Sequence, residues 1–319
     1  MLLAHAAKTG SHRADGRKSG MSIRFSQAEL TAGTFHFAEA GEAGKPLLLC
    51  LHGFPESWLA WEAVMELLAG HFHVVAPDQR GFNRSPKPAG AEAYQTRHLV
   101  GDMFELAERV SPGGPFHLAG HDWGSAVAYA MAFARPDRIR RLIVANGVHP
   151  WCFQNAIVND PGQRAASQYM NRLRAGDAAG LLAANDFEKL MNMMAGFSAT
   201  DWLGDDLRAA YKAQWRQPGA LEGMLNWYRA SPVVVPGLEA KDVEAPLLAM
   251  PEEMLTVRMP HLILWGEADV ALTPACLTGI ERFVPALSIK RIAGASHWIL
   301  HEQPERAAQA IIAFAGGRD

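Results

Sequence analysis

The pentapeptide Gly120-His121-Asp122-Trp123-Gly124 constrains this chain more than any other stretch. An apolar run over residues 115–119 precedes it and reads as a buried strand. The Ala-rich run over 125–134 follows and reads as a helix. A small–x–acid–x–small sequence between strand and helix describes a strained turn. It lifts its central side chain above the edge of a sheet, at the amino end of a helix. The flanking glycines permit the sharp bend and the close approach of strand to helix. Ser is the commoner central residue; here it is Asp122, and Ser125 lies one turn along the helix, away from the apex. A carboxyl group titrates near ~3.9 in model peptides, so at neutral pH it attacks without first losing a proton. It suits displacement at an sp³ carbon, which leaves an ester on the protein. Five residues of this kind are by themselves more often a chance turn; partners further along the chain reverse those odds.

Strand-like and helical stretches alternate around this turn. Residues 23–30 and 34–40 read as an antiparallel entry hairpin. Residues 47–51 are continuously apolar, the mark of a strand buried on both faces. Further strands are expected at 72–76, 115–119, 139–144, 259–265 and 287–292. Helical spacing covers 58–69, with Ser57 as cap, then 94–110, 273–284 and 304–315. This alternation predicts an α/β protein with a doubly wound, mainly parallel sheet. It breaks between about His149 and Pro236, where four helical stretches (163–174, 178–194, 205–214 and 221–229) replace strands. The chain therefore divides into a core in two parts, 21–148 and 237–319, and a helical cap, 149–236. The Met and aromatic content of the cap suits an adaptable apolar pocket, although most of those side chains pack the cap itself.

With 319 residues and a net charge of −3, nothing points to nucleic acid as a partner. Cys50, Cys152 and Cys276 are odd in number, far apart and without the His or Cys spacing of a metal site. They read as reduced, buried thiols in a reducing compartment, which sets the expectation of a cytoplasmic protein. No apolar run reaches the ~18 residues of a membrane helix. Residues 1–20 carry Lys8, Arg13, Arg17 and Lys18 behind an apolar start too short for a secretory core segment. They read as a flexible tail, or as an upstream start before Met21; a transit peptide is the weaker reading.

Water activation needs a base and an acid to orient it, and both stand after the last two strands. Gly266-Glu267-Ala268-Asp269 follows 262–265, and Gly294-Ala295-Ser296-His297-Trp298 follows 287–292. Ligands gather at the carboxyl edge of such sheets. Asp269 is preferred over Glu267 because it lies further into the loop, where a short side chain reaches the imidazole. His297 is preferred over His301, a core histidine, because it directly follows the final strand. His52-Gly53-Phe54-Pro55-Glu56-Ser57 closes strand 47–51. There the Phe54 amide is free to pair with that of Trp123 around a developing oxyanion. Pro55 locks that turn, with a cis bond as one way of doing so. His52, Asp78 and Arg80 read as structural ties.

Together these segments resemble the epoxide hydrolases of the α/β-hydrolase superfamily, from about Met21 onward. The likeness rests on His52 to Ser57, Gly120 to Gly124, Trp265-Gly266-Glu267-Ala268-Asp269 and Gly294 to Trp298; the order nucleophile, acid, His is also that of the superfamily. It implies an α/β-hydrolase fold with an eight-stranded, mostly parallel sheet. It also implies two cap tyrosines that hold and protonate the epoxide oxygen. Leu225-Asn226-Trp227-Tyr228-Arg229 resembles the motif of the second, Ala166-Ser167-Gln168-Tyr169 that of the first, with Tyr211 the alternative to Tyr169. The chain departs from the family at Asn83, where relatives often have Gly, and in a long linker over 239–257. The activity so implied takes a small hydrophobic epoxide and water, and needs no cofactor or metal. Two rivals share the fold. A haloalkane dehalogenase would use the Trp123 indole N–H as one halide donor, but Phe54 offers no second. A non-catalytic ligand-binding homologue would usually have lost Asp122, Asp269 or His297.

Overall fold

A computed structural model describes residues 23–316, so the expected tail of residues 1–20 lies outside the described part. Eight strands form one sheet: β1 (Arg24–Leu30), β2 (Gly33–Ala40), β3 (Leu47–Leu51), β4 (His73–Pro77), β5 (Phe116–His121), β6 (Ile139–Ala145), β7 (His261–Gly266) and β8 (Leu287–Ile292). Their spatial order is β1-β2-β4-β3-β5-β6-β7-β8. β1 with β2 and β2 with β4 pair antiparallel; all remaining pairs are parallel. Every residue of β3, β4, β5 and β7 is buried, as unbroken apolar runs demand of strands covered on both faces. β8 is an edge strand and leaves Ser288, Ile289, Lys290 and Arg291 exposed.

Four helices flank the sheet: α1 (Glu62–Leu68), α2 (Thr96–Val110), α3 (Trp123–Ala134) and α11 (Pro304–Ala315), with α1 packed on α11 and α2 on α3. Between β6 and β7 stand six more: α4 (Pro150–Asn159), α5 (Pro161–Ala166), α6 (Tyr169–Arg174), α7 (Ala178–Gly196), α8 (Asp205–Trp215) and α9 (Ala220–Ala230). The short α10 (Ile299–Glu302) follows His297.

Several stretches differ from the sequence expectation, among them α4, for which no helix was expected, and 58–69, whose first turn is 3-10. Residues 273–284 are not one helix but two 3-10 turns, Pro274–Leu277 and Ile280–Arg282, because Gly279 between them sits at φ 82, outside any right-handed helix. Residues 163–174 are broken into α5 and α6 at Ser167 and Gln168. α7 is kinked where Asn185, Asp186 and Phe187 take φ of 50, 54 and 64.

α3 comes so close to β3 that a Cβ built on Gly124 would lie 2.2 Å from the Leu51 carbonyl oxygen. Backbone cannot yield there as a flexible side chain would. Gly124→Ala is therefore expected to destabilise the protein by about 3 kcal/mol or more. A urea-unfolding midpoint equal to that of the unaltered chain would show that strand and helix have room to part.

Candidate active site

The carboxyl ends of β3 and β5 are adjacent because the sheet order turns back on itself at β3. β4 lies to one side of it and β5 to the other, with Leu51 opposite Gly120. Such a switch point opens a crevice between the two following loops. Phe54 and Asp122 stand on those loops. Asp122 has φ 49 and ψ −121, a left-handed backbone that costs a non-glycine residue about 1–3 kcal/mol. The Ser125 amide donates to its carbonyl (2.9 Å) and fixes the bend at the start of α3. The Phe54 amide donates to Asp122 Oδ1 at 2.7 Å. The Trp123 amide heads α3, where the first N–H groups have no partner within the helix. The Phe54–Pro55 peptide is cis. His52 is fully buried: its Nδ1 donates to the Gly53 carbonyl (2.9 Å) and its Nε2 accepts from the Gln79 amide (3.1 Å).

β7 and β8 deliver the other two groups. His297 Nε2 lies 3.5 Å from Asp122 Oδ2, and its Nδ1 donates to Asp269 Oδ2 at 2.9 Å. Asp269 Oδ1 accepts the amides of Ala271 (2.8 Å) and Leu272 (3.0 Å). Glu267 points to solvent. Sequence reasoning gave Asn146, which directly follows β6, no part in the site. In the structure Asn146 Nδ2 donates to Asp269 Oδ2 (2.6 Å) while its Oδ1 accepts from the Gly266 amide (2.9 Å). An amide at a strand end beside two catalytic-type loops was the available signal.

Burial disfavours the charged imidazole of His297, but Asp269 and Asp122, one at each ring nitrogen, outweigh it and push its pKa up to about 10. Asp269, penalised by burial yet facing His297, Asn146 and two amides, is held below the usual carboxylate range. Two carboxyl groups thus flank one buried imidazole and favour its charged form. Asp122→Asn is expected to lower the His297 pKa, since one of the two anions is gone; a pH titration of the ring by NMR reads it directly. An unmoved pKa would mean that Asp269 alone holds the proton.

Tyr169 and Tyr228 face this centre from α6 and α9. Burial first, then the nearby Asp122 charge for Tyr169, and the Tyr169 ring with Asp122 for Tyr228, raise both phenols above their ordinary pKa. The two phenol rings meet edge to face, with centroids 6.3 Å apart. Ring contacts of Tyr228 with Phe54 and Trp123, both 5.0 Å between centroids, fix its place. α9 itself is seated on the core. A Cβ on Gly223 would lie 2.7 Å from the Gly81 carbonyl oxygen, and the Trp227 indole donates to the Arg80 carbonyl (2.8 Å). Arg80 is held by both oxygens of Asp102 at 2.7 Å. Tyr211 goes elsewhere: its hydroxyl donates to the buried Glu56 at 2.7 Å. Glu56 also meets His301 Nε2 (2.7 Å) and His121 Nδ1 (3.2 Å), a buried cluster that sequence reasoning missed because nothing local signals it.

Asp122, His297 and Tyr169 border a cavity of about 80 Å³ whose remaining wall is apolar, with Phe153, Met170 and Leu272 prominent. Among the described residues no helix is long and apolar enough to cross a membrane. A carboxyl group, an imidazole and a phenol around a mostly apolar cavity, with a second phenol packed on the first, can attack a carbon, hold a leaving oxygen and activate water.

The family described as alpha/beta hydrolase fold matches residues 46–304. A Bacillus subtilis protein, AB hydrolase superfamily protein YfhM, is 33% identical over 283 residues, covering 88% of this chain and 94% of its own. Epoxide hydrolase 4 of Mus musculus is 31% identical over 289 residues, 88% of this chain and 76% of its own. The crystal structure of a Bacillus megaterium epoxide hydrolase with an inhibitor matches at TM-score 0.81 and 29% identity, covering 92% of this chain and 100% of that one. Fold and likeness alike define an α/β hydrolase. Within that superfamily the chain belongs to the epoxide hydrolase family.

Proposed function

We propose that this protein hydrolyses a hydrophobic epoxide to a vicinal diol in two steps, through an ester on Asp122, beneath a cap formed by residues 149–236. Asp122 attacks an epoxide carbon opposite the C–O bond. That bond breaks, and its electron pair goes to the oxygen, which takes a proton from Tyr169. Tyr228 donates a second hydrogen bond to the same oxygen. A phenol is a suitable acid because the alkoxide it protonates is far more basic.

Ester formation consumes the charge on Asp122, one of the two carboxylates that hold the His297 proton. The imidazolium then makes good the proton lost by Tyr169 and becomes a neutral base. Oriented by Asp269, it deprotonates water, and the hydroxide adds to the ester carbonyl. The amides of Phe54 and Trp123 stabilise the oxyanion; one of them already donates to Asp122 Oδ1 at 2.7 Å. The imidazolium protonates the departing alkoxide, and the carboxylic acid left on Asp122 returns a proton to His297.

The observation that carries this reading is that Asp122, with His297 at 3.5 Å, borders one small cavity together with Tyr169, against whose ring Tyr228 packs. Relatives named epoxide hydrolases support it. The dehalogenase reading loses ground because Phe54 brings no second halide donor beside the Trp123 indole. The test is a single turnover in heavy-oxygen water. The first diol should carry unlabelled oxygen taken from Asp122, with label appearing in the protein. Label in the diol at once, or halide release from a bromoalkane without diol from styrene oxide, would overturn the proposal.

A further inference from the structure

Gln163, in the short helix α5, has a fully buried side chain, and all of its hydrogen bonds are made. Its Nε2 donates to Ser167 Oγ (3.0 Å) and to the Ala271 carbonyl (2.9 Å). Its Oε1 accepts from the Thr273 amide (2.7 Å) and the Cys276 thiol (3.1 Å). The two ends of this bridge belong to different parts of the site. Ser167 lies at the break between α5 and α6, and its carbonyl accepts from the Met170 amide (3.0 Å), so it sets where α6 begins and where Tyr169 points. Ala271 and Thr273 belong to the loop that carries Asp269. The Ala271 amide donates to Asp269 Oδ1 while the Ala271 carbonyl accepts from Gln163, so one residue links the triad acid to the cap.

We propose that Gln163 is a positioning residue that sets the spacing between the proton donor of the first half-reaction and the base of the second. This rests on the epoxide-hydrolase reading. A buried amide with four partners has one seat; removing it leaves the Ala271 carbonyl and the Thr273 amide without their partners, and cap and acid loop then settle independently. Displacements of an ångström at reacting groups can lower rates by about 10²-fold.

The experiment measures ester formation and ester hydrolysis separately, by rapid quench and mass spectrometry of the full chain reacted with styrene oxide. Gln163→Met should slow both steps, each by about ten-fold, in protein that still melts cooperatively. Tyr169→Phe should slow only the first step and Asp269→Asn chiefly the second. Ser167→Ala, a milder loss of one partner, should slow both by about two- to three-fold and serves if the Met variant does not fold. Folded variants with unchanged rate constants, or with only one step slowed, would overturn the inference. Failure of the unaltered protein to form ester or diol would instead count against the proposed function.

Discussion

With His297 replaced by Gln, one equivalent of epoxide is expected to be consumed per chain and then no more. The first step needs Asp122 and the two phenols, none of which His297→Gln removes. The second needs a base 2.9 Å from Asp269 and aimed past Asp122, and Gln is no base. Turnover should fall by about 10⁴-fold or more, the usual cost of losing a member of such a set. The protein should gain the mass of the substrate, and peptide mapping should place that mass on Asp122. Normal turnover, or a mass increment elsewhere, would remove His297 from the mechanism.

The joint replacement Tyr169→Phe with Tyr228→Phe should have the complementary effect. Both rings remain, so the contacts of Tyr228 with Phe54 and Trp123 survive and the fold stands. What disappears is the pair of hydroxyls that, in the proposed mechanism, hold and protonate the leaving oxygen. A positioned general acid supplies about 10²–10⁴-fold, and removing both hydroxyls also strips the leaving oxygen of its hydrogen bonds. Ester formation should slow by roughly 10⁴-fold, while hydrolysis of an ester already formed stays near the unaltered rate. Single-turnover kinetics would separate the two; a slowed second step with an intact first would reverse the assignment.

The sequence carried a good deal of this site because its groups sit at strand ends, where local pattern and function coincide. Asp122, Asp269 and His297 each follow a readable apolar run, and the structure brings them together. Phe54 was legible for the same reason. Tyr169 and Tyr228 were named through family resemblance, since helical spacing alone does not distinguish a phenol that faces a cavity from one, like Tyr211, that binds a buried Glu56. The residues that sequence reasoning missed act at long range. Gln163 bridges 108 positions to Ala271, and Asn146 bridges 123 to Asp269, and such bonds leave no periodic trace. The expected helix over 273–284 failed at Thr278, extended at ψ 123, and Gly279, at a positive φ, neither of which composition announces.

The seat of α9 has a consequence for traffic. Where Gly223 meets Gly81, main chain rests on main chain, and Trp227 pins the same helix to Arg80. Tyr228 consequently belongs to the foundation of the molecule and cannot swing aside to admit a guest. The facing boundary of the chamber is made of Phe153, Met170 and Leu272, side chains that turn about their own bonds. Entry of a guest is therefore expected to rely on rotation of such groups, with α9 staying in place.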